Sequence, residues 1–254
     1  MDNARTGSGP SDSVFFCSFP LVVWEYPCND QQGADFLAVL AAMRTHFPED
    51  QYILTAALPA AEVVLRCLDL AQCARFLDSI NLTAYDFYGS WTSTTGHHAQ
   101  LYGRRKGDVS GSSGVAYLIA SGVPGRKILL GIPLFGRSFL QAAGPGQSYD
   151  GTGGEDGTFD YKDLPRKGTQ EQVDKRAVAA QCIGGDGGFV TYDNPDTVAT
   201  KAMFCKQKGL AVSSLLQAGV RRRRWRDRNQ GRGNRQRPVA PQVLNKSSPG
   251  WSLV

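Results

Sequence analysis

The sequence predicts an α/β fold, a partial (β/α)8 barrel of the TIM type with an inserted α+β subdomain. Three observations predict it. Short apolar runs alternate with stretches of helical periodicity, which is the rhythm of a parallel sheet with right-handed crossovers. The 254 residues are close to the about 250 that one such barrel takes. A glycine-rich segment over 141–157 then interrupts the rhythm before apolar runs resume.

Taken in order, Leu21-Val22-Val23-Trp24-Glu25-Tyr26-Pro27 reads as a strand that ends in one carboxylate. Side chains alternate along a strand, so Leu21 and Val23 share a face with Glu25. A carboxylate enclosed by apolar neighbours favours its protonated form. Phe36, Leu37, Val39, Leu40 and Met43 give helical spacing over 35–46, and 51–58 reads as the next buried strand. A second helix is predicted over 61–78 and a strand over 80–87. A helix over 111–121, closed by Gly122-Val123-Pro124, and a strand over 128–133 complete the pattern. The segment 141–157 contains Gly-x-Gly pairs but no helix start at the offset that phosphate binding requires, so no nucleotide site is predicted.

The net charge of +5 is misleading about the main body. Residues 221–254 hold nine arginines, one lysine and one aspartate, and the remainder is net acidic. The basic pI therefore describes a low-complexity tail, expected to be disordered, and predicts no nucleic-acid surface on the body. No stretch reaches the about 20 apolar residues that span a bilayer, and the apolar run over 14–23 makes a poor signal peptide. Six cysteines form no Cys-x-x-Cys pair and no ligand spacing with the histidines, so no metal and no cofactor is expected. Both disulfides and free thiols are compatible with that count.

Four blocks carry a family resemblance. Trp24-Glu25-Tyr26-Pro27 resembles the end of the Asp-Gly-x-Asp-x-Asp-x-Glu signature on the fourth barrel strand of glycoside hydrolase family 18 chitinases. Tyr85-Asp86-Phe87-Tyr88-Gly89-Ser90-Trp91, followed by Thr95-Gly96-His97, resembles the sixth strand and its loop. Residues 127–139 resemble the seventh strand. Phe159-Asp160-Tyr161 and Phe189-Val190-Thr191-Tyr192-Asp193 resemble the inserted domain. The likeness spans roughly residues 22–211.

The resemblance implies chitin or N-acetylglucosamine oligomers as partners, with no membrane and no nucleic acid, and an extracellular location. It implies Glu25 as the catalytic acid, with Trp24, Tyr26, Tyr85, Asp86, Trp91 and Arg137 binding substrate. It also sets the expected organisation: a disordered segment over 1–17, the partial barrel over 18–138 and the insertion over 139–205. A remnant of the last barrel strand follows over 206–220, then the arginine-rich tail over 221–254. The departures fall beside the acid. Ser18, Leu21 and Val23 stand where the family has aspartates, Thr83 replaces a methionine, and Phe135 stands where many members have tyrosine. His97 and His98 are expected to be exposed loop residues. With only 24 residues before Glu25, strands one to three are expected to be missing, leaving an open set of four strands with two unpaired edges. A non-catalytic chitin-binding surface is the second reading.

Overall fold

The computed structural model describes residues 20–211 and, as backbone, two short strands at 216–218 and 251–253. Ser18 and the segments expected to be disordered over 1–17 and 221–254 lie outside the described residues, except that 251–253 form a strand and correct the expectation there. The first strand, β1 (Leu21–Trp24), leads through Asn29, whose side chain accepts from Gln32 N, into helix α1 (Asp30–His46). This is an N-cap in the ordinary sense, satisfying one of the otherwise unpaired amides of the first turn. Strand β2 (Thr55–Pro59), the short helices α2 (Glu62–Leu65) and α3 (Leu70–Phe76), and strand β3 (Ser79–Thr83) follow. The helix expected over 61–78 is thus two pieces. Asp69 caps the second by accepting from Gln72 N, which starts a new helix where the first could have continued.

Helix α4 (Gly111–Ala120) begins in a reciprocal Ser110/Ser113 capping box and leads to β4 (Ile128–Pro133). Strands β1 to β4 pair in parallel and in sequence order. Their outward side chains, including Val22, Trp24, Ala56, Leu58, Ile80 and Leu82, form one core with Phe36 and Leu40 of α1 and Leu118 of α4. The opposite face of β1 and β2 is only half buried, at Leu21, Val23, Thr55 and Ala57.

The chain then changes sheet. Strand β5 (Phe135–Phe139) starts two residues after β4 and pairs antiparallel with β6 (Thr158–Asp160) and, on its other side, with β9 (Phe189–Tyr192). The second sheet, completed by β7 (Gln172–Asp174) and β8 (Ala179–Ile183), runs β6-β5-β9-β8-β7. The antiparallel unit thus begins at Phe135, four residues ahead of the boundary expected at 139. Helix α5 (Pro195–Gln207) returns the chain to the first sheet, capped by Asn194 with Pro195 in its first turn.

The expectation of an open set of four strands is corrected: two more strands join the sheet, and its two unpaired edges move out to them. Strand β10 (Leu216–Ala218) pairs in parallel with β4, and β11 (Trp251–Leu253) pairs antiparallel with β1. The first sheet therefore has six strands in the order β10-β4-β3-β2-β1-β11, and its outer edges are three-residue strands. Short edges offer little template for association. The five cysteines among the described residues, Cys28, Cys67, Cys73, Cys182 and Cys205, are all free thiols.

Gly33 lies where α1 crosses the turn after α2. A Cβ there would stand 1.8 Å from the backbone oxygen of Cys67. An alanine in a helix ordinarily gains about 0.5–1 kcal/mol over glycine, but overpacking against immobile backbone costs about 1–3 kcal/mol. Gly33→Ala is expected to destabilise the fold by about 1–2 kcal/mol in urea unfolding; a midpoint equal to or above that of the parent would contradict this packing.

Candidate functional site

The candidate residues gather at the C-terminal ends of β1, β3 and β4, where the chain leaves the first sheet and enters the second. Glu25 follows the last residue of β1 and is exposed, joined to Tyr26 by a cis peptide bond. Its strand neighbours Leu21 and Val23 lie on the half-buried face, so the side-chain alternation is as expected, but apolar groups do not enclose the carboxylate. Trp24 departs from its expected role. Strand alternation turns it to the other face, where it is 5% exposed and packs on Phe36 with ring centroids 6.3 Å apart. It is a core residue and not a substrate contact.

Two residues beyond β3, Tyr85 lays its ring over Gly131 of β4. A Cβ at Gly131 would meet the Tyr85 ring at 2.9 Å and the Leu82 carbonyl at 2.8 Å, so only glycine leaves room for the phenol. Tyr85 is braced by Phe135 in an edge-on contact at 6.1 Å. Burial pushes its hydroxyl up to about 12, with Asp86, Tyr26 and Glu25 adding to the effect. Tyr26 is likewise pushed up to about 12 by burial, then by Glu25 and Asp86. Both carboxylates therefore act on both phenols, so the four residues lie within electrostatic reach of one another.

Asp86 adopts φ +60°, a left-handed conformation that aspartate tolerates better than most residues. That turn points its carboxylate across to the second sheet. Arg137 of β5 donates from Nε to Asp86 Oδ1 at 2.9 Å, and His98 Nδ1 stands 3.5 Å from the same oxygen. Burial pushes the Asp86 carboxyl up, but the His98 and Arg137 groups outweigh it and hold the acid at about 2. The Arg137 guanidinium also lies over the Trp91 ring at 4.7 Å and over Phe135 at 5.3 Å. Trp91 is 57% exposed, and its indole covers Gly89. The loop that carries it is tied down by Tyr149, whose hydroxyl lies within hydrogen-bond distance of the carbonyls of Thr92 (2.6 Å) and Gly89 (3.2 Å).

His97 and His98 are not the exposed loop residues expected; both are fully buried. His97 bridges into the second sheet, with Nδ1 3.0 Å from Thr191 Oγ1 and Nε2 3.3 Å from Asp174 Oδ2. Next to the pair, Lys201 of α5 donates to the Ala99 carbonyl and to Asp193, fixing the loop from behind. The polar character of histidine suggested exposure, and only the long-range partners Thr191, Asp174 and Asp86 reveal why burial is tolerated.

An acid at the end of a parallel-sheet strand stands beside a Tyr-Asp pair fixed by an arginine from an antiparallel sheet, on an α/β fold of the TIM-barrel type. Residues 22–215 match the sequence profile described as Glycosyl hydrolases family 18. Chitinase 1 of Aphanocladium album is 33% identical over 215 residues, covering 78% of this chain and 50% of the relative. Endochitinase 1 of Metarhizium robertsii is 34% identical over 220 residues, 79% of this chain and 51% of the relative. The chain spans about half the length of both relatives. A solved GH18 chitinase from Cycas revoluta in complex with (GlcNAc)3 superposes with a TM-score of 0.68 at 30% identity, over 75% of this chain and 60% of that one. The chain belongs to glycosyl hydrolase family 18.

The buried histidines make stability depend on pH. Burial lowers His97 to about 4, against the partial opposition of Asp174, and lowers His98 against the opposition of Asp86. The unfolded chain then binds more protons than the folded one between the ordinary histidine value of about 6.5 and the folded value. Stability from these groups is full above about 6.5 and is lost as pH falls towards 4. Urea unfolding at pH 7 and pH 5 is expected to show the lower midpoint at pH 5, with a smaller difference in His97→Gln. Equal midpoints in the parent protein would contradict neutral burial.

Proposed function

We propose that this chain binds N-acetylglucosamine oligomers across the mouth formed by Glu25, Tyr26, Tyr85, Asp86, Trp91 and Arg137, and cleaves their β-1,4 linkages slowly with net retention. The observation that carries this reading is the placement of the Glu25 acid and the Tyr85-Asp86 pair at the C-terminal ends of β1 and β3, where both carboxylates act on the same two phenols. On this reading β1, β3, β4 and β10 stand as the fourth, sixth, seventh and eighth strands of the family's barrel. The relatives named as chitinases support an extracellular site of action as part of the same proposal.

The mechanism uses the substrate's own acetamido group, the scheme for which the family is an exception to two-carboxylate hydrolysis. Glu25 donates its proton to the glycosidic oxygen as that bond breaks, while the acetamido carbonyl oxygen attacks the anomeric carbon from the opposite face. Tyr85 donates its hydroxyl proton in a hydrogen bond to that carbonyl oxygen. A phenol held near 12 stays protonated at neutral pH and so remains a donor. Asp86, ionised at neutral pH, accepts from sugar hydroxyls, and Arg137 holds it in place. Trp91 offers its exposed face to the apolar face of a sugar ring. Glu25, now a carboxylate, takes a proton from the water that opens the oxazolinium ion, and the anomeric configuration is retained.

Val23 limits the rate. It stands where the family's aspartate would steady the positive charge on the acetamido group, and removing one preorganised charge of this kind costs roughly 10²–10³ in rate. Its side chain lies on the half-buried face two residues before Glu25, where a carboxylate keeps contact with water. Val23→Asp is therefore expected to raise turnover of a fluorogenic N-acetylglucosamine oligomer by about 100-fold, and Glu25→Gln to abolish it in either background. Turnover that survives Glu25→Gln would contradict the assignment of the acid.

The apolar pair Leu21 and Val23 beside the acid favours a second reading, a chitin-binding protein without turnover. In that case the parent and Val23→Asp are both inert, yet both are retained on chitin beads, and Trp91→Ala weakens retention at least several-fold.

A further inference from the structure

A polar cavity, of about 400 Å³, opens between the loop before α4 and the turn between β7 and β8. Arg104, Arg105 and Arg176 line it, with Tyr88, His97 and Asp108, and none of Glu25, Tyr26, Tyr85, Asp86, Trp91 or Arg137 does. Its volume lies within the range of small-molecule sites, about 300–1,000 Å³, but its walls are polar and cationic where most such sites are apolar.

Among the described residues, none of the three guanidinium groups lies within ion-pair distance of a carboxylate. Asp108, the one acid in the lining, turns its Oδ2 to the backbone N–H of Arg105 at 2.8 Å. Arg176 donates from Nη2 to the Arg104 carbonyl at 3.0 Å, which ties the loop to the second sheet and leaves its remaining N–H groups for a ligand. The charges reach inward. Burial, reinforced by Arg104, lowers His97 despite Asp174; at Tyr88, burial and Asp108 push the phenol up while Arg105 and Arg104 oppose them. His97 is occupied on both ring nitrogens and closes the floor without adding charge.

Guanidinium groups that line one cavity can match the oxygens of a tetrahedral or planar oxyanion through paired N–H donors, and lysines do this less well. We propose that this cavity binds a small, multiply charged oxyanion, namely phosphate free or carried on a small organic molecule, at a site separate from the mouth around Glu25.

The test is calorimetric titration of the purified full chain at low ionic strength with inorganic phosphate and, in parallel, with glucose 6-phosphate. The comparison proteins are Arg104→Ser, Arg105→Ser and, as a control for general surface charge, Arg75→Ser on α3. All three arginines are exposed, and circular dichroism melts verify that the variants fold. One-to-one binding of either probe, at least tenfold weaker in Arg104→Ser and Arg105→Ser and unchanged in Arg75→Ser, is expected. Tighter binding of glucose 6-phosphate assigns an organic phosphate, and equal binding assigns the free ion. Absence of saturable binding of both probes, or equal affinity in all four proteins, would overturn the proposal.

Discussion

The hydrogen bond from Arg137 to Asp86 is the contact on which the site depends, because it joins two sheets that the chain connects by a single residue. Asp86 sits just past β3 in the parallel sheet, and Arg137 lies within the antiparallel one. Two residues that are 51 apart in sequence are held at 2.9 Å in a partly buried place, where a charge-assisted hydrogen bond is stronger than in water. Around it the other contacts fall into order. Arg137 covers Trp91 and Phe135, Phe135 braces Tyr85, and His98 closes the remaining side of the Asp86 carboxylate. If Arg137 is lost, the carboxylate keeps the cost of its burial without its principal cation, and the turn at positive φ loses its anchor.

The same geometry explains what the acid lacks. Glu25 and Asp86 reach the same two phenols, so the mouth keeps one acid and one hydrogen-bonding pair. The strand before Glu25 supplies valine and leucine on the face where further carboxylates would stand. The result is a site with its binding half built on a braced framework and its charge-stabilising half replaced by aliphatic groups. On the proposed reading, binding and chemistry are separable because they come from different strands: the sugar contacts follow β3 and lie on β5, and the acid follows β1.

Much of the fold was legible because period-two and period-3.6 patterns are local. Alternation on β1 and the spacing of Phe36 and Leu40 predict the parallel layer and its helical cover. The split of the helix over 61–78 was not legible from periodicity, since apolar spacing continues across Asp69 and only its capping bond to Gln72 restarts the helix. Trp24 lies in the core because alternation puts adjacent strand residues on opposite faces, a distinction that the resemblance of the Trp-Glu-Tyr-Pro block does not carry. The burial of His97 and His98 is not legible locally, because their partners Thr191, Asp174 and Asp86 are remote in sequence or belong to another sheet. The three arginines of the cationic cavity come from two segments about 70 residues apart, and no local spacing unites them. Strand β10 falls within the strand remnant expected over 206–220, whereas β11, at the opposite edge, comes from the arginine-rich tail, whose composition gives no strand signal.

The central claim is that Asp86 is held ionised by Arg137 and His98 at the junction of the sheets. Carbon-13 NMR titration of the Asp86 side-chain carboxyl, in the parent protein and in Arg137→Gln, tests it most directly. The account predicts a midpoint of about 2 in the parent and a clear rise in Arg137→Gln. A midpoint at the ordinary aspartate value of about 3.9, unchanged by the substitution, would contradict it and remove the constraint from which the site is built.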